Sequence, residues 1–522
     1  MDITSVQWNL VGKHHHHGIC FPLSSIFTEK SCGIGEYFDL IPLIQWLATT
    51  GFDTIQLLPL TDTGDDPSPY MGLSSCALHP IYLSLRALPN HDAVAGFSKK
   101  LEELAALNKT ERVDYTNVLH KKLEALSLYL DRFLLEIEKD PEFQRFFEEN
   151  QFWLTSYSIF KALKTVHNGK VWWNWEKAAQ YKIIDETPLT NEILRWRVIQ
   201  YFCFSQFKEV KKAAEANQVL LKGDVPILIN KDSVDTWWNP DLFDLNFSVG
   251  SPPDTYNKDG QHWNFPTYQW DNHRKDGFRW WKDRLRVKEK LYHIYRLDHI
   301  IGFFRFWTIP PQKSAKDGSF IPEHEYEWKA LGEEILSEIV SSSSMLPIGE
   351  ELGATEDVMT ASIRSLGIPV VKVMRWERAH DKDQSFINPK LYPPNTLSTL
   401  STHDIPIMKE WWTEEPNASK RLAHNFGIAW EKTLSTSKFF DILSLCHTSG
   451  SLFHVNMFNE MLTLFPDLSW NSATRERINI PGLVLPTNWT YRCKKSLEEI
   501  CSHYEFGKAL QELSKNRLES YR

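Results

Sequence analysis

Acidic residues close three of the chain's apolar runs. Asp298 stands near the end of HIYRLDH (293–299), Glu350 and Glu351 near the end of MLPIGEEL (345–352), and Asp404 at the end of NTLSTLSTHD (395–404). Short runs of this kind read as buried strands. In a parallel barrel the C-terminal strand ends share one face, where the active site lies, so three carboxylates from three strands converge there. Arg296 precedes Asp298 by two residues and so shares its strand face. A guanidinium in that position keeps the aspartate ionised and oriented, which suits a nucleophile. Glu350 and Glu351 are neighbours and point to opposite faces of a strand, so at most one of them enters the barrel and the other is expected to cap or face solvent. One carboxylate ionised to attack and one protonated to assist the leaving group, roughly 5 Å apart, is the arrangement for glycoside chemistry with retention. A third carboxylate stabilises positive charge on the sugar ring. Any single acidic residue after a strand is as readily the cap of the next helix; the conjunction of three is what points to chemistry.

The aromatic content fits that chemistry. The 522 residues include 21 Trp, 17 Tyr and 30 Phe, 13% of the chain, and flat, rigid side chains pack well on the C–H faces of sugars. WWNW (172–175), TWWN (236–239), HWN (262–264), RWW (279–281) and EWW (410–412) are the candidates, although core packing is the expectation for any one Trp. Gly223-Asp224 and the loop VGSPPD (249–254) add polar groups, the Pro-Pro step stiffening a loop that suits the barrel mouth. The tract His14–His17 offers His-x-His spacing, but it follows VGK instead of an apolar strand. With no second His/Asp set at ligand spacing, no metal is expected.

Elements must position these groups. DTIQLLPL (53–60), KGDVPILIN (222–230) and IPVVKVMRW (368–376) read as further strands. Helical patterns at 191–216, 326–342 and 356–366 lie between them, the last stopped by Gly367. Near-continuous apolar strands alternating with helices indicate a parallel sheet covered on both faces. No Gly-x-Gly-x-x-Gly follows the first strand, so the expectation is an α/β fold of the (β/α)8 barrel type and not a doubly wound sheet. Residues 1–522 then form one catalytic barrel domain, with a mainly helical subdomain inserted at 90–180, where no strand candidate occurs, and an active-site loop insertion at 231–280.

Charge narrows the function classes. Lys and Arg number 58 against 67 Asp and Glu, a net charge of −9, which argues against a phosphate-binding surface and therefore against nucleic acid as a partner. No apolar run reaches the roughly 18–20 residues that span a bilayer, and MDITSVQWNLVGK does not read as a signal peptide. Seven scattered cysteines without a Cys-x-x-Cys pair suit reduced thiols in a cytoplasm.

The motifs occur together, in order, in one family. RLDHIIGFFRFWTIP (296–310), LPIGEELG (346–353) and STHD (401–404), with HGICFPLSSI, GIGEYFDL, DPSPYMGLSS, GDVPILINKDSVDTWWNPDLF, VGSPPDTYNKDGQHWNFPTYQWD and ERINIPG…NW, resemble the amylomaltases, or disproportionating enzymes, which are 4-α-glucanotransferases. The resemblance runs from about His17 to Arg492 and is weakest at 90–180 and 415–450. It implies Asp298 as nucleophile, Glu350 as general acid and base, and Asp404 as transition-state stabiliser. It further implies that Arg296 and His403 line the same glucose subsite, that Tyr70 stacks on or near that sugar, and that Asp224 binds a hydroxyl. Trp263 and the loop Ser251, Pro252, Pro253 and Asp254 would shape the acceptor side, and Asn479 and Pro481 lie in a motif near the site. The substrates implied are maltodextrins and other glycogen- or starch-derived α-1,4-glucans, with glucose or a maltodextrin as acceptor and no metal or organic cofactor. The chain departs from the family at Gly349-Glu350-Glu351, Ile405-Pro406 and Leu78-His79-Pro80, which leaves the three carboxylates intact and bears on acceptor preference and product length. It lacks the N-terminal starch-binding modules of the plant cytosolic relatives, so binding of large branched glucan through a separate module is not expected. A retaining α-glucan hydrolase, a non-catalytic glucan-binding protein and a metal-dependent barrel hydrolase are the alternatives.

Overall fold

The computed structural model describes residues 3–253, 258–352, 356–379 and 385–516. Its strands are β1 (His16–Phe21), β2 (Thr54–Leu57), β3 (Leu220–Val225), β4 (Phe243–Ser251), β5 (Gln261–Tyr268), β6 (Ile294–Leu297), β7 (Phe306–Ile309), β8 (Ser319–Ile321), β9 (Leu346–Gly349), β10 (Val370–Val373), β11 (Thr396–Thr399) and β12 (Phe453–Met457). Eight of them close a barrel in the order β1-β2-β3-β6-β9-β10-β11-β12, and every pairing in it is parallel. The (β/α)8 architecture expected from the alternating pattern is the one observed.

All six strands read from the sequence exist, each shorter than its apolar run. After β2, β3, β10 and β11 the next two residues are still buried, whereas those after β6 and β9 are partly exposed. The two remaining strands, β1 and β12, were not anticipated. Their sequences, HHGICF and FHVNM, are interrupted by polar residues, yet every residue of both is buried. Gly18 in β1 reflects close approach: a Cβ there would lie 2.5 Å from the Thr54 carbonyl oxygen. The tract His14–His17 follows the helix Ser5–Val11 and leads into the start of β1, so, as the sequence reading held, it does not stand at the end of a strand.

Amphipathic helices cover the barrel, among them Leu40–Thr50, Thr190–Ala216, Arg279–Glu289, Glu325–Ser341 and Asp357–Ser365. Gly51 and Gly367 follow the first and last of these at φ 82° and 78°, a left-handed conformation that glycine adopts without strain. Between β2 and β3 the chain forms Phe97–Ala105, Tyr115–Ile137, Pro141–Val166 and the short Lys177–Gln180 before Thr190–Ala216, with no strand. A second, antiparallel sheet in the order β5-β4-β7-β8 was not read from the sequence. β4 and β5 alternate irregularly, with register shifts between Asp244 and Gly250, so no period-2 pattern marks them. No helix among the described residues is long and apolar enough to cross a membrane. All seven cysteines are free thiols, six of them buried.

Candidate active site

The site grows from one cross-strand pair. Asp224 on β3 and Arg296 on β6 are register partners, and Arg296 Nη1 donates to both Asp224 oxygens at 2.9 and 2.7 Å. The same nitrogen lies 2.9 Å from Asp298 Oδ1, and Nη2 lies 2.8 Å from Glu350 Oε1. One planar guanidinium thus binds carboxylates that follow or belong to three adjacent strands, which its fork geometry allows and a lysine's point charge does not. Burial works against the charge on Arg296, but Asp224 and Glu350 outweigh it and keep the group protonated.

Asp298 and Glu350 both lie just past strand ends. The backbone N–H of His299 donates to Glu350 Oε2 at 2.9 Å. His299 is held at φ +47°, a conformation costly for a non-glycine residue and typical of functional sites; here it aims an amide at the carboxylate. Glu351 faces away and accepts from the Thr360 hydroxyl. Burial, reinforced by the charges of Glu350 and Asp224, pushes Asp298 up to about 8 against the pull of Arg296. Glu350 feels the same burial, but Arg296 and the His299 amide hold it below the ordinary carboxylate range. The direction at Asp298 is opposite to the one expected from Arg296 alone, and the two carboxylates titrate together as a pair.

Asp404 is not at a strand end. β11 stops at Thr399, and Thr402–Asp404 turn through a bonded loop, Ile405 N–H donating to Thr402 C=O. Asp404 Oδ2 lies 3.2 Å from His403 Nε2 and its Oδ1 accepts from Asn479 Nδ2 at 2.6 Å. Although burial opposes it, the His403 imidazolium and the Asn479 amide hold Asp404 down at about 2. His403 is raised in return, Asp404 outweighing the cost of its own burial.

Aromatic rings wall the cavity. Tyr70 stacks on His403 at 5.4 Å between ring centres, and Trp489 packs against both at 5.6 Å. The Tyr70 hydroxyl donates to Asp224 at 3.0 Å, and burial keeps the phenol neutral. Trp263 also lines the cavity and stands edge-on to His299. The cavity between them has a volume of about 360 Å³, within the usual range for a small-molecule site.

Of the residues expected here, Tyr70, Trp263, Arg296, Asp298, Glu350, His403, Asp404 and Asn479 line this cavity. Asp224 lies directly beneath, bonded to Tyr70 and Arg296. Ser251, Pro252, Pro253 and Pro481 are not in its lining: Ser251 ends β4 in the second sheet, Pro252 and Pro253 follow it outside any strand, and Pro481 is exposed. Asp254 lies outside the described residues. Ser68, Met71, Pro226, Leu228, Phe265, His299 and Trp489 were missed. The closing pair of ERINIPG…NW contains Trp489, so that motif was the available signal for it. Half of the ten tryptophan candidates are core: Trp175 and Trp237 pack with Phe160 in a satellite cluster, and Trp281, Trp411 and Trp412 lie in the main one.

Comparison with known proteins adds an independent line. A family model described as 4-alpha-glucanotransferase matches residues 21–498. A 4-alpha-glucanotransferase of Chlamydia pneumoniae is 44% identical over 97% of this chain and 96% of its own length. The 4-alpha-glucanotransferase DPE2 of Oryza sativa subsp. japonica is 36% identical over 56% of this chain and 32% of that longer protein. Among solved structures, amylomaltase from Streptococcus agalactiae in complex with acarbose superposes with a TM-score of 0.82 at 24% identity, covering 98% of this chain and all of that one, a likeness of fold. With the match spanning nearly its whole length, the chain belongs to the 4-alpha-glucanotransferase family.

Proposed function

We propose that this chain carries out 4-α-glucan transfer as a retaining double displacement, with Asp298 as nucleophile, Glu350 as acid and base, and Asp404 as the fixed anion. The observation that carries this reading is the shared guanidinium: Arg296 contacts both Asp298 and Glu350, so a proton lost by one is readily held by the other. A glycosidic oxygen entering beside Glu350 accepts a hydrogen bond only from the protonated acid, which draws the pair's proton from Asp298 to Glu350. Asp298, now ionised, attacks the anomeric carbon as Glu350 protonates the departing 4-oxygen. The shortened glucan leaves and a glycosyl ester on Asp298 remains. Glu350 then takes the proton of an acceptor's 4-hydroxyl, whose oxygen displaces Asp298 and forms a new α-1,4 bond.

Asp404 suits the stabilising role because it stays ionised wherever the pair titrates, so its charge is available as the oxocarbenium character develops. Tyr70, His403 and Trp489 offer rings for a sugar face, and Trp263 marks the acceptor side. Maltodextrins are the donors and glucose or another maltodextrin the acceptor. The test is incubation with maltotriose: transfer yields glucose and a ladder of chains longer than three units. Products confined to glucose and maltose would make the protein a hydrolase.

A further inference from the structure

The N-terminal mouth of the barrel, opposite the carboxylates, gathers His14, His15, His16, His17, His447 and His454. The consecutive four divide two and two. His15 Nδ1 meets Ser451 C=O and His454 Nε2 at 3.1 and 2.9 Å, and His17 Nδ1 meets His447 Nδ1 at 2.8 Å. His14 and His16 turn the other way, toward Asp53.

We infer that His14, His16 and Asp53 form a divalent-cation site suited to Zn2+, a structural clasp on the chain's N-terminal segment. The hydrogen-bond inventory of His16 is the first reason. Its Nε2 lies 3.2 Å from the Gly12 carbonyl oxygen, which only accepts, so that nitrogen carries a hydrogen. Its Nδ1 lies 3.0 Å from Asp53 Oδ2, which as an ionised oxygen also only accepts. With the hydrogen on Nε2, the Nδ1 lone pair points at that oxygen, and a cation between the two atoms bonds to both. The arrangement at Nε2 is the one metal-bound histidines use, the remote N–H donating to a backbone carbonyl.

Geometry supplies the second reason. Asp53 Oδ1 is occupied by the His17 backbone N–H and the Thr54 hydroxyl, each at 3.1 Å, so Oδ2 is the oxygen turned to the imidazoles. His14 Nε2 lies 3.8 Å from it, and the three donor atoms lie within 4.8 Å of one another. Tetrahedral zinc with bonds of about 2.0–2.1 Å separates its ligand atoms by about 3.3 Å, between the two distances observed. Stacking on Phe453 at 4.9 Å fixes the His16 ring. His14 is one-third exposed while Asp53 is buried, which leaves an entry path and room for water as a fourth ligand. Two imidazoles and a carboxylate without a thiolate form a borderline donor set that suits zinc better than calcium or magnesium. Gly12 ends the helix Ser5–Val11, and Asp53 directly precedes β2, so the ion would tie that helix to two strands at the end of the barrel that serves stability.

The test uses the full-length enzyme stripped by dialysis against a chelator and titrated with Zn2+ in a calorimeter, with Co2+ as a spectroscopic substitute. One equivalent binds, Co2+ gives tetrahedral visible bands, and Zn2+ raises the unfolding temperature. His14→Ala, at a partly exposed position, weakens binding by more than about tenfold and abolishes the thermal shift with transfer activity retained. His15→Ala, whose ring faces His454, leaves both unchanged. If the stripped protein takes up no zinc, or His14→Ala binds it as well as the parent, the proposal is overturned and His16 and Asp53 are an imidazolium–carboxylate pair.

Discussion

The two mouths of the barrel are both polar and both buried, yet they solve burial in opposite ways. At the C-terminal mouth Asp224, Asp298 and Glu350 crowd onto Arg296 while Asp404 pairs with His403. Anions outnumber cations there, and one proton has more than one place to sit. At the N-terminal mouth burial holds His17, His447 and His454 well below the usual histidine range, each lowering a neighbour further, so they pack as neutral rings. Excess like charge around a shared cation keeps a proton mobile and the end reactive, whereas neutral aromatic packing makes the other end stable. Lys222 lies between the two regimes. It is the register partner of Gln56 and bonded to it at 2.7 Å, in a layer beneath Asp224, and burial brings it down to about 7.

Substitutions at the reactive mouth should break the contrast most strongly. Glu350→Gln removes the acid and base and should lower kcat by about 10²–10⁴-fold, and Asp298→Asn should lower it at least as much, while Glu351→Gln stays near the parent because its carboxylate meets Thr360. Steady-state kinetics on maltotriose read all three. Arg296→Lys keeps one charge but loses the fork, and a loss on the order of 10²-fold in kcat/KM is expected. A parent-like rate would show that the shared guanidinium is not what organises the carboxylates.

A pH profile sharpens the proton-sharing half of the comparison. Asp298 is raised above its ordinary value to about 8, so the Asp298–Glu350 pair carries one proton below that pH and none above it. Activity should therefore fall as pH rises through about 8. His403, also raised, changes charge in the same direction; the limb should persist in His403→Gln if the pair is its source. The smallest effect on catalysis belongs to the other mouth. His447→Ala should cost about 1–3 kcal/mol of stability in a denaturant titration and leave kcat unchanged.

What was legible in the sequence follows from period and order. Asp298 was legible because the strand-end rule places it at the mouth, and Arg296 because two residues along a strand return to one face; alternation left Glu350 and Glu351 open, and only the family resemblance chose Glu350, which lines the cavity with the other two. Asp404 was found for a reason that does not hold: it lies five residues beyond Thr399, in a loop whose turn is set by its own hydrogen bonds. β1 and β12 escaped because buried histidines and an asparagine look polar, although partners across the mouth satisfy them. His299 acts through a backbone amide, and its positive φ leaves no mark in residue type. The Pro-Pro loop had a stiffening argument but no pattern locating it; Ser251 ends β4, Pro252 and Pro253 follow it, and all three are outside the cavity lining.

The most direct test of the account is to trap the covalent intermediate. Glu350→Gln given an α-maltosyl fluoride, whose leaving group needs no protonation, should accumulate a glycosyl ester because no base activates the acceptor. Mass spectrometry of the digested protein should place the added sugar on the peptide carrying Asp298. Sugar on Asp404 or Asp224, or turnover to products with the donor's configuration inverted, would contradict it.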